Sequence, residues 1–453
     1  MFQKKRHEID MLNGPLLPKV LLFVIPLALS GILQLLFNAA DVIVLGRYVG
    51  ESALAAVGST TALINLMINL FIGLSVGVNV QVARYYARED GRMVSDIVHT
   101  AVTTALISGV IMIFVGYFAA APMLELMGSP ENVLPLSVLY MRIYFAAMPF
   151  LLLYNFGAAI LRAIGDTQRP LYYLLFAGII NVILNLYFVL VWDLGVAGVA
   201  LATAASNIIS SLLILRSLMR EESSLKLYLK RLHIDPIVLK RIFTIGLPAG
   251  LQGCIFSLSN ILVQSSVNSF GYIVMAGSSA SANIEGFVYN AMNAVYQANL
   301  SFTSQNIGAG RYSRLNRILA TCLLVVTIIG GSMGILCCVF GHQLLGIYNS
   351  NPEVIRAGFI RLYFICGLYF ICGWMDVLVG SLRGMGYALL PMVVSLIGAC
   401  GFRVLWIFTV FSIWHSLPVL FVSYPLSWLL TAAVHAFCYR KLRKRLPSGD
   451  ELL

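Results

Sequence analysis

The chain is 453 residues long, 59% hydrophobic and only 11% charged, against about a quarter charged in an ordinary soluble domain. That balance excludes soluble enzymes, disordered tails and collagen-like chains, and it leaves no water-facing stretch long enough to close a core of its own. A formal net charge of +11 would suggest a nucleic-acid partner in a soluble protein, so the positions of the 30 Lys and Arg decide its meaning.

With about 20 apolar residues needed per helical crossing, twelve candidate spans follow one another at 16–45, 53–83, 97–120, 135–162, 170–191, 196–218, 242–268, 273–303, 317–341, 356–382, 388–412 and 416–439. Several are longer than the hydrocarbon is thick, which predicts tilt. Helices are required, because lipid offers backbone groups no partners and strand alternation is absent. The expected fold is an all-α polytopic membrane protein.

Of the 30 basic residues, 25 lie in the N-terminal segment, in every second connection and in the C-terminal tail. Only Arg47, Arg142, Arg356, Arg361 and Arg403 fall on the other side or within the membrane. The positive-inside rule then puts both termini in the cytoplasm and the chain, multi-pass, in the cell's inner (cytoplasmic) membrane. The charge is a topology signal: the bilayer is the expected partner, and no nucleic acid is.

The first apolar run follows Lys4, Lys5 and Arg6, as a secretory signal would, but it is too long and continues through Pro26 without a cleavage site, so it is expected to stay in the chain. All eight cysteines fall in or beside apolar segments of the second half without a CxxC pair, and read as core residues.

An internal repeat organises the spans. Leu161, Arg162, Gly165 and Pro170 of LRAIGDTQRP recur 221 residues on as Leu382, Arg383, Gly386 and Pro391 of LRGMGYALLP. Pro26, Gly31 and Asn38 recur as Pro248, Gly253 and Asn260, and MRIYF from Met141 returns as IRLYF from Ile360. Six crossings return the chain to its starting side, so the two copies share one orientation, the parallel-repeat plan of secondary transporters with a cleft near the midplane. The expected divisions are a cytoplasmic tail 1–15, an N-lobe 16–218, a basic linker 219–241 along the inner membrane surface, a C-lobe 242–439 and a basic tail 440–453.

Polar residues at membrane depth are costly and face a cavity or one another. Gln34, Asn38 and Asp41 share one face of the first helix, which is expected to point inward. Asp41 reads either as an interfacial carboxylate reaching water or as a titratable, ion-binding acid. Pro26 in the same helix removes a backbone hydrogen bond and marks a kink or a hinge. Asn181 and Asn185 lie four apart in the fifth span, and Thr203 is in the sixth. With Asp41 they supply hard oxygen ligands for a small cation, or else hydrogen-bond neighbouring helices together.

In the second half Glu285, Tyr289, Asn293 and Gln297 step by four along the eighth span, Asp376 lies in the tenth and Arg403 in the eleventh. An unpaired arginine at that depth is very costly, so Arg403 is expected to pair with Asp376 or Glu285, as a structural lock or as a pair that substrate or protons contest. No HExxH, nucleophile elbow or phosphate loop occurs, and GLSVG reads as helix packing. A transporter driven by an ion gradient is expected, not an enzyme; it needs no cofactor and no structural metal.

The run IPLALSGILQLLFNAADVIVLGRYVGESALAAVG, the paired LRxxG motifs, NVILN and GVAGVALAT resemble, in this order, the multidrug and toxic compound extrusion (MATE) family. The resemblance implies two six-helix lobes forming a V, alternating access, and export of organic, often cationic, drugs or metabolites by a monomer in exchange for H+ or Na+. It implies ion coupling at Asp41, with Asn181 and Thr203 in the same pocket, and bending at Pro26. Many members carry an Asp where this chain has Asn185, so the pocket holds one charge instead of two, which weakens a Na+ site at Asp41 and makes a proton on Asp41 alone an option. A further branch uses an acid in the seventh span with one in the tenth; Asp376 matches the latter, Ser257 stands at the former, and Glu285 is a conceivable substitute. A flippase for lipid or lipid-linked sugar in the same superfamily is the alternative.

Overall fold

The computed structural model describes residues 8–127, 130–447 and 449–450. Of the expected tails, residues 1–7, 448 and 451–453 lie outside them. The described residues form sixteen α-helices, with three π-helical and two 3-10 turns and no strand among them. The helices are α1 (Leu16–Val44), α2 (Glu51–Ala87), α3 (Gly91–Leu126), α4 (Leu134–Ala146), α5 (Met148–Ala163), α6 (Gln168–Leu190), α7 (Gly195–Met219) and α8 (Pro236–Asn268) in the first half. The second half has α9 (Tyr272–Gly308), α10 (Leu315–Val339), α11 (Gly341–Tyr348), α12 (Pro352–Cys366), α13 (Tyr369–Gly384), α14 (Leu389–Ser395), α15 (Phe402–Trp406) and α16 (Leu417–Arg443).

Among the described residues nine helices are long and apolar enough to cross a membrane, and eleven spans result if α4 with α5 and α12 with α13 each count as one, bent by 49° and 41°. The expected span 273–303 is α9, whose many Ser, Asn and Gln keep it below that apolarity. Twelve is therefore not reached on length and composition. The break between α4 and α5 follows from Pro149, which lacks an N–H and disfavours helix at the residue before it.

The chain divides into two compact units, one built on Ile32–Gly250, the other on Ile9–Gly31 and Leu251–Leu453. In the first, one apolar cluster gathers Leu74, Ile97, Phe156, Leu161 and Ile242, and another Leu45, Met112, Phe145, Met148 and Val199. The bent pair α4–α5 lies tight on α3, because a Cβ at Gly109 would stand 2.3 Å from the Pro149 Cα and one at Gly116 2.2 Å from the Phe145 Cβ. GLSVG in α2 and GLPAG in α8 meet backbone to backbone: a Cβ at Gly73 would be 2.0 Å from the Gly250 nitrogen. This is the close approach that small residues four apart permit.

The second unit has one continuous core running from Val20 and Phe23 to Leu420 and Phe421. Phe23 meets the edge of Phe302 at 6.1 Å. Both units repeat one local device. In LRAIG the Gly165 and Asp166 N–H groups close onto the Arg162 and Leu161 carbonyls, and in LRGMG the Gly386 and Tyr387 groups close onto Arg383 and Leu382. The two glycines have φ of 89° and 100°, so this helix stop accounts for their recurrence in the repeat.

The basic linker is a strap docked on α3. Leu225 and Leu227 are buried, the Tyr228 N–H donates to His99 Nε2 at 3.1 Å, and the Asp235 N–H donates to Thr100 Oγ1 at 3.1 Å. The backbone donors of the strap thus find acceptors on α3, which offsets their removal from water.

Candidate functional site

In the first unit the end of α1, with α6 and α7, builds a polar pocket. α1 leans on α6 along the line from Phe37, whose ring fills the space over Gly178, to Asp41 one turn later. α6 carries Asn181 and Asn185 on one buried stripe, 4% and 0% exposed, because residues four apart share a face. Asn185 Nδ2 donates to Asp41 Oδ1 and, at 3.2 Å, to Asn181 Oδ1. From α7, Thr203 Oγ1 donates to Asp41 Oδ2 at 3.3 Å and accepts from Asn181 Nδ2 at 3.5 Å.

The four residues of the expected ion-coupling set therefore meet in one place. Among the described residues no Lys, Arg or His pairs with Asp41. Asn185 Oδ1 is buried without a hydrogen-bond partner, so the pocket has an acceptor to spare beside a carboxylate. The carboxylate can exchange a proton, or with the amide and hydroxyl oxygens can hold a small hard cation. No cluster of three or more His, Cys, Asp or Glu among the described residues could hold a metal.

Gln34 and Asn38 do not join this pocket. Both are exposed and neither makes a side-chain hydrogen bond within the described residues. At about 100° per residue Gln34 shares Asp41's direction and Asn38 lies about 60° from it, so the expected inward stripe is covered only at the level where Asp41 meets α6 and α7. Pro26 lies inside α1, and the Ser30 hydroxyl donates to the Pro26 carbonyl at 2.9 Å. Loss of one N–H and back-bonding by a serine favour bending at the same turn.

The second unit corrects the expected pairing of Arg403. Glu285 pairs with Arg361, whose Nε and Nη2 donate to Oε1 and Oε2, each at 2.8 Å. Ser281 donates to Oε1 at 3.0 Å, and Arg361 Nη1 reaches Ser278 Oγ at 2.7 Å. Arg403 has neither carboxylate. It lies 4.2 Å over the Tyr424 ring and 5.7 Å from that of Trp428, and its Nε donates to Ser427 Oγ at 3.0 Å. Ring faces on α16 replace the anion, a use of π-electrons that suits a weakly hydrated guanidinium.

Asp376 is half-buried and forms no hydrogen bond or ion pair within the described residues. Along α9, Glu285 is buried, Tyr289 is 40% exposed and stacked on Tyr369 at 6.3 Å, and Asn293 and Gln297 are half-buried without side-chain hydrogen bonds. Within the described residues no hydrogen bond joins Glu285, Tyr289, Asn293, Gln297 or Asp376 to another of the five. Nor is Glu285 free to act as the missing acid of Ser257's helix, since both its oxygens are taken by Arg361.

Sequence reasoning missed Arg361, Ser278 and Ser281. A signal existed: Ser278, Ser281 and Glu285 follow one another at three and four residues, and Arg361 belongs to the repeated IRLYF stretch. It also missed a second cation network, in which Arg383 donates to Tyr296 Oη at 2.7 Å and to Gln252 Oε1 at 2.8 Å.

The profile of a family described as MatE matches residues 26–187 and again 248–409, two stretches displaced by 222 residues. The offset read from LRAIG and LRGMG is nearly the same. A probable multidrug resistance protein of Bacillus subtilis (strain 168), YoeA, is 30% identical over 433 residues, 93% of each chain. Another from the same organism, YpnP, is 27% identical over 445 residues, 95% of this chain and 96% of that one. Among solved structures, a MOP superfamily transporter from Pyrococcus furiosus superposes with a TM-score of 0.92 over 98% of this chain and 99% of that one, at 20% identity, a likeness of fold.

Proposed function

Because the chain belongs to the MatE family, we propose that it is a secondary active antiporter. It exports organic, cationic drugs or metabolites in exchange for H+ or Na+ by alternating access, and makes no chemical change in its cargo. Its expected setting is the inner membrane with both termini cytoplasmic, as a monomer, with 16–218 and 242–439 as lobes joined by 219–241. The names of the relatives support the cargo class, since two of them are described as probable multidrug resistance proteins.

The observation that carries the coupling half is the Asp41 pocket. A carboxylate that is 8% exposed has only an amide and a hydroxyl for partners, with an idle acceptor on Asn185 beside it. A proton turns that carboxyl into a donor and satisfies an acceptor; a Na+ ion draws the same oxygens inward. Either event alters the hold of α6 and α7 on the end of α1, and the backbone hydrogen bond that Pro26 cannot make gives that helix a place to respond. The ion moves the equilibrium only by its differential affinity for the two states. Asn293, Gln297 and Asp376 supply polar contacts for cargo in this reading, with Tyr289 offering an exposed ring face to a cation. Arg403 and Glu285 act as structural supports. The flippase alternative calls for free cations at depth, whereas Arg361 is neutralised by Glu285, Arg403 is capped by rings and Arg383 is held by Tyr296 and Gln252.

The test is transport of a fluorescent cationic dye by the full chain in proteoliposomes, under imposed pH or Na+ gradients. Dye flux that follows one gradient, and loses that dependence in Asp41→Asn, is the expected result. Flux insensitive to both gradients, or unchanged coupling in Asp41→Asn, overturns the reading.

A further inference from the structure

The second unit contains a groove that the transport reading leaves unused. α10 and α16 each pack along α13 and hardly touch one another. They leave a space of about 750 Å³ with Trp374 and Leu378 of α13 as its floor. Small side chains, among them Ala320 on one wall and Ala433 on the other, keep it open. Cross-links hold it in shape at both ends: Trp374 Nε1 donates to Thr327 Oγ1 at 2.7 Å, and the Tyr439 hydroxyl donates to Asn316 Oδ1 at 3.0 Å.

Its dimensions match one leaflet. The walls run from Asn316 to Thr327 on α10 and from Leu429 to Arg440 on α16. Eleven residues at 1.5 Å each give roughly 16 Å, about half the hydrocarbon thickness of a bilayer. The rest of the lining is almost wholly apolar, and the charge sits at one end only. There Arg440 lies at the rim, exposed, and its guanidinium makes no hydrogen bond or ion pair within the described residues. Arg317, beside Asn316, is exposed and equally unengaged, and Lys441 is exposed as well.

We propose that this groove retains one acyl chain of an anionic phospholipid, whose phosphate is held by Arg440 with Arg317 and Lys441 adding field. A guanidinium fork meets phosphate oxygens two at a time. Each basic residue near the headgroup level contributes about 1 kcal/mol toward an anionic lipid. The apolar trough fixes the chain, and the cationic rim selects the headgroup.

The experiment is native mass spectrometry of the full chain in detergent, titrated with dioleoyl phosphatidylglycerol, dioleoyl phosphatidylcholine or glycerol phosphate. The expected result is one retained phosphatidylglycerol, favoured roughly tenfold over phosphatidylcholine, with no retention of glycerol phosphate. Ala433→Phe, which fills the trough from its exposed wall, should lose that lipid, and Ala320→Phe on the opposite wall should do the same. Arg440→Gln should keep a chain bound but erase the headgroup preference. Equal retention of the two lipids by the unaltered chain, undiminished retention in both filled variants, or binding of glycerol phosphate alone overturns the proposal. So does a species removed by filling that proves to be a second copy of the protein.

Discussion

Asp41 in the first unit and Glu285 in the second are both carboxylates withdrawn from water, 8% and 6% exposed, but their neighbours differ in kind. Arg361 takes both oxygens of Glu285 in a two-pronged ion pair, so charge and hydrogen-bonding capacity are used up together. Asp41 receives one amide and one hydroxyl, both neutral. A buried charge without a counter-ion costs several kcal/mol unless something neutralises it. The contrast separates an acid fastened by a counter-ion from one with neutral partners only: burial alone does not distinguish them, but the charge of the partner does.

Breaking the fastener should have the largest effect. Arg361→Ala strands the Glu285 charge and is expected to destabilise the purified protein by about 3–5 kcal/mol, read as a fall in melting temperature in detergent. An apolar double replacement, Arg361→Met with Glu285→Leu, should recover most of it. If the single change melts like the unaltered chain, Glu285 is not held as a charge. The acid with neutral partners should behave in the opposite manner. Asp41→Asn is expected to cut gradient-driven dye transport by roughly tenfold or more, with a melting temperature unchanged or raised, because a costly charge has gone. Loss of folding in this variant would put Asp41 in the same class as Glu285.

Two smaller effects sharpen the comparison. Asn185→Asp gives the first pocket a second carboxylate and should lower the Na+ concentration for half-maximal dye flux about threefold; ion dependence unchanged for both Na+ and H+ contradicts the pocket's assignment. For Arg403 and Asp376, the absence of a shared ion pair means that Arg403→Gln and Asp376→Asn should add in melting free energy to within about 0.5 kcal/mol. A larger interaction energy would show that the two do meet.

How far the sequence reaches depends on which coordinate a residue needs. Depth in the membrane is legible, since position along a span sets it, and helix order with four-residue spacing then brings Asp41, Asn181, Asn185 and Thr203 to a common level. Rotation about the helix axis is much less so. Asn38 counts onto the polar face with Asp41, yet α1 meets α6 along Phe37 and Asp41, a direction that only packing chooses, and Gln34, on the Asp41 side, lies two turns earlier where no partner covers it. Arg403 looked like half of an ion pair because charge is easy to see in a sequence; Tyr424 and Trp428, which receive it, look like any other apolar pair on a span. Arg361 falls within the span 356–382, but charge counting gives no sign of its partner, since Glu285 lies 76 residues earlier on another helix. The repeat was legible in full, since the helix stop it encodes demands glycine at positions 165 and 386.

The crossing of α2 with the start of α8 sets a different kind of constraint. Gly73, Gly77, Gly246 and Gly250 leave no room for even a methyl group, so the two backbones touch without any side chain that could rearrange to absorb a shift. Such a joint has no slack. An engineer wishing to retune this protein would find more latitude around the polar pocket, where one amide can be traded for another acceptor, than at four hydrogens whose replacement would force two whole helices apart.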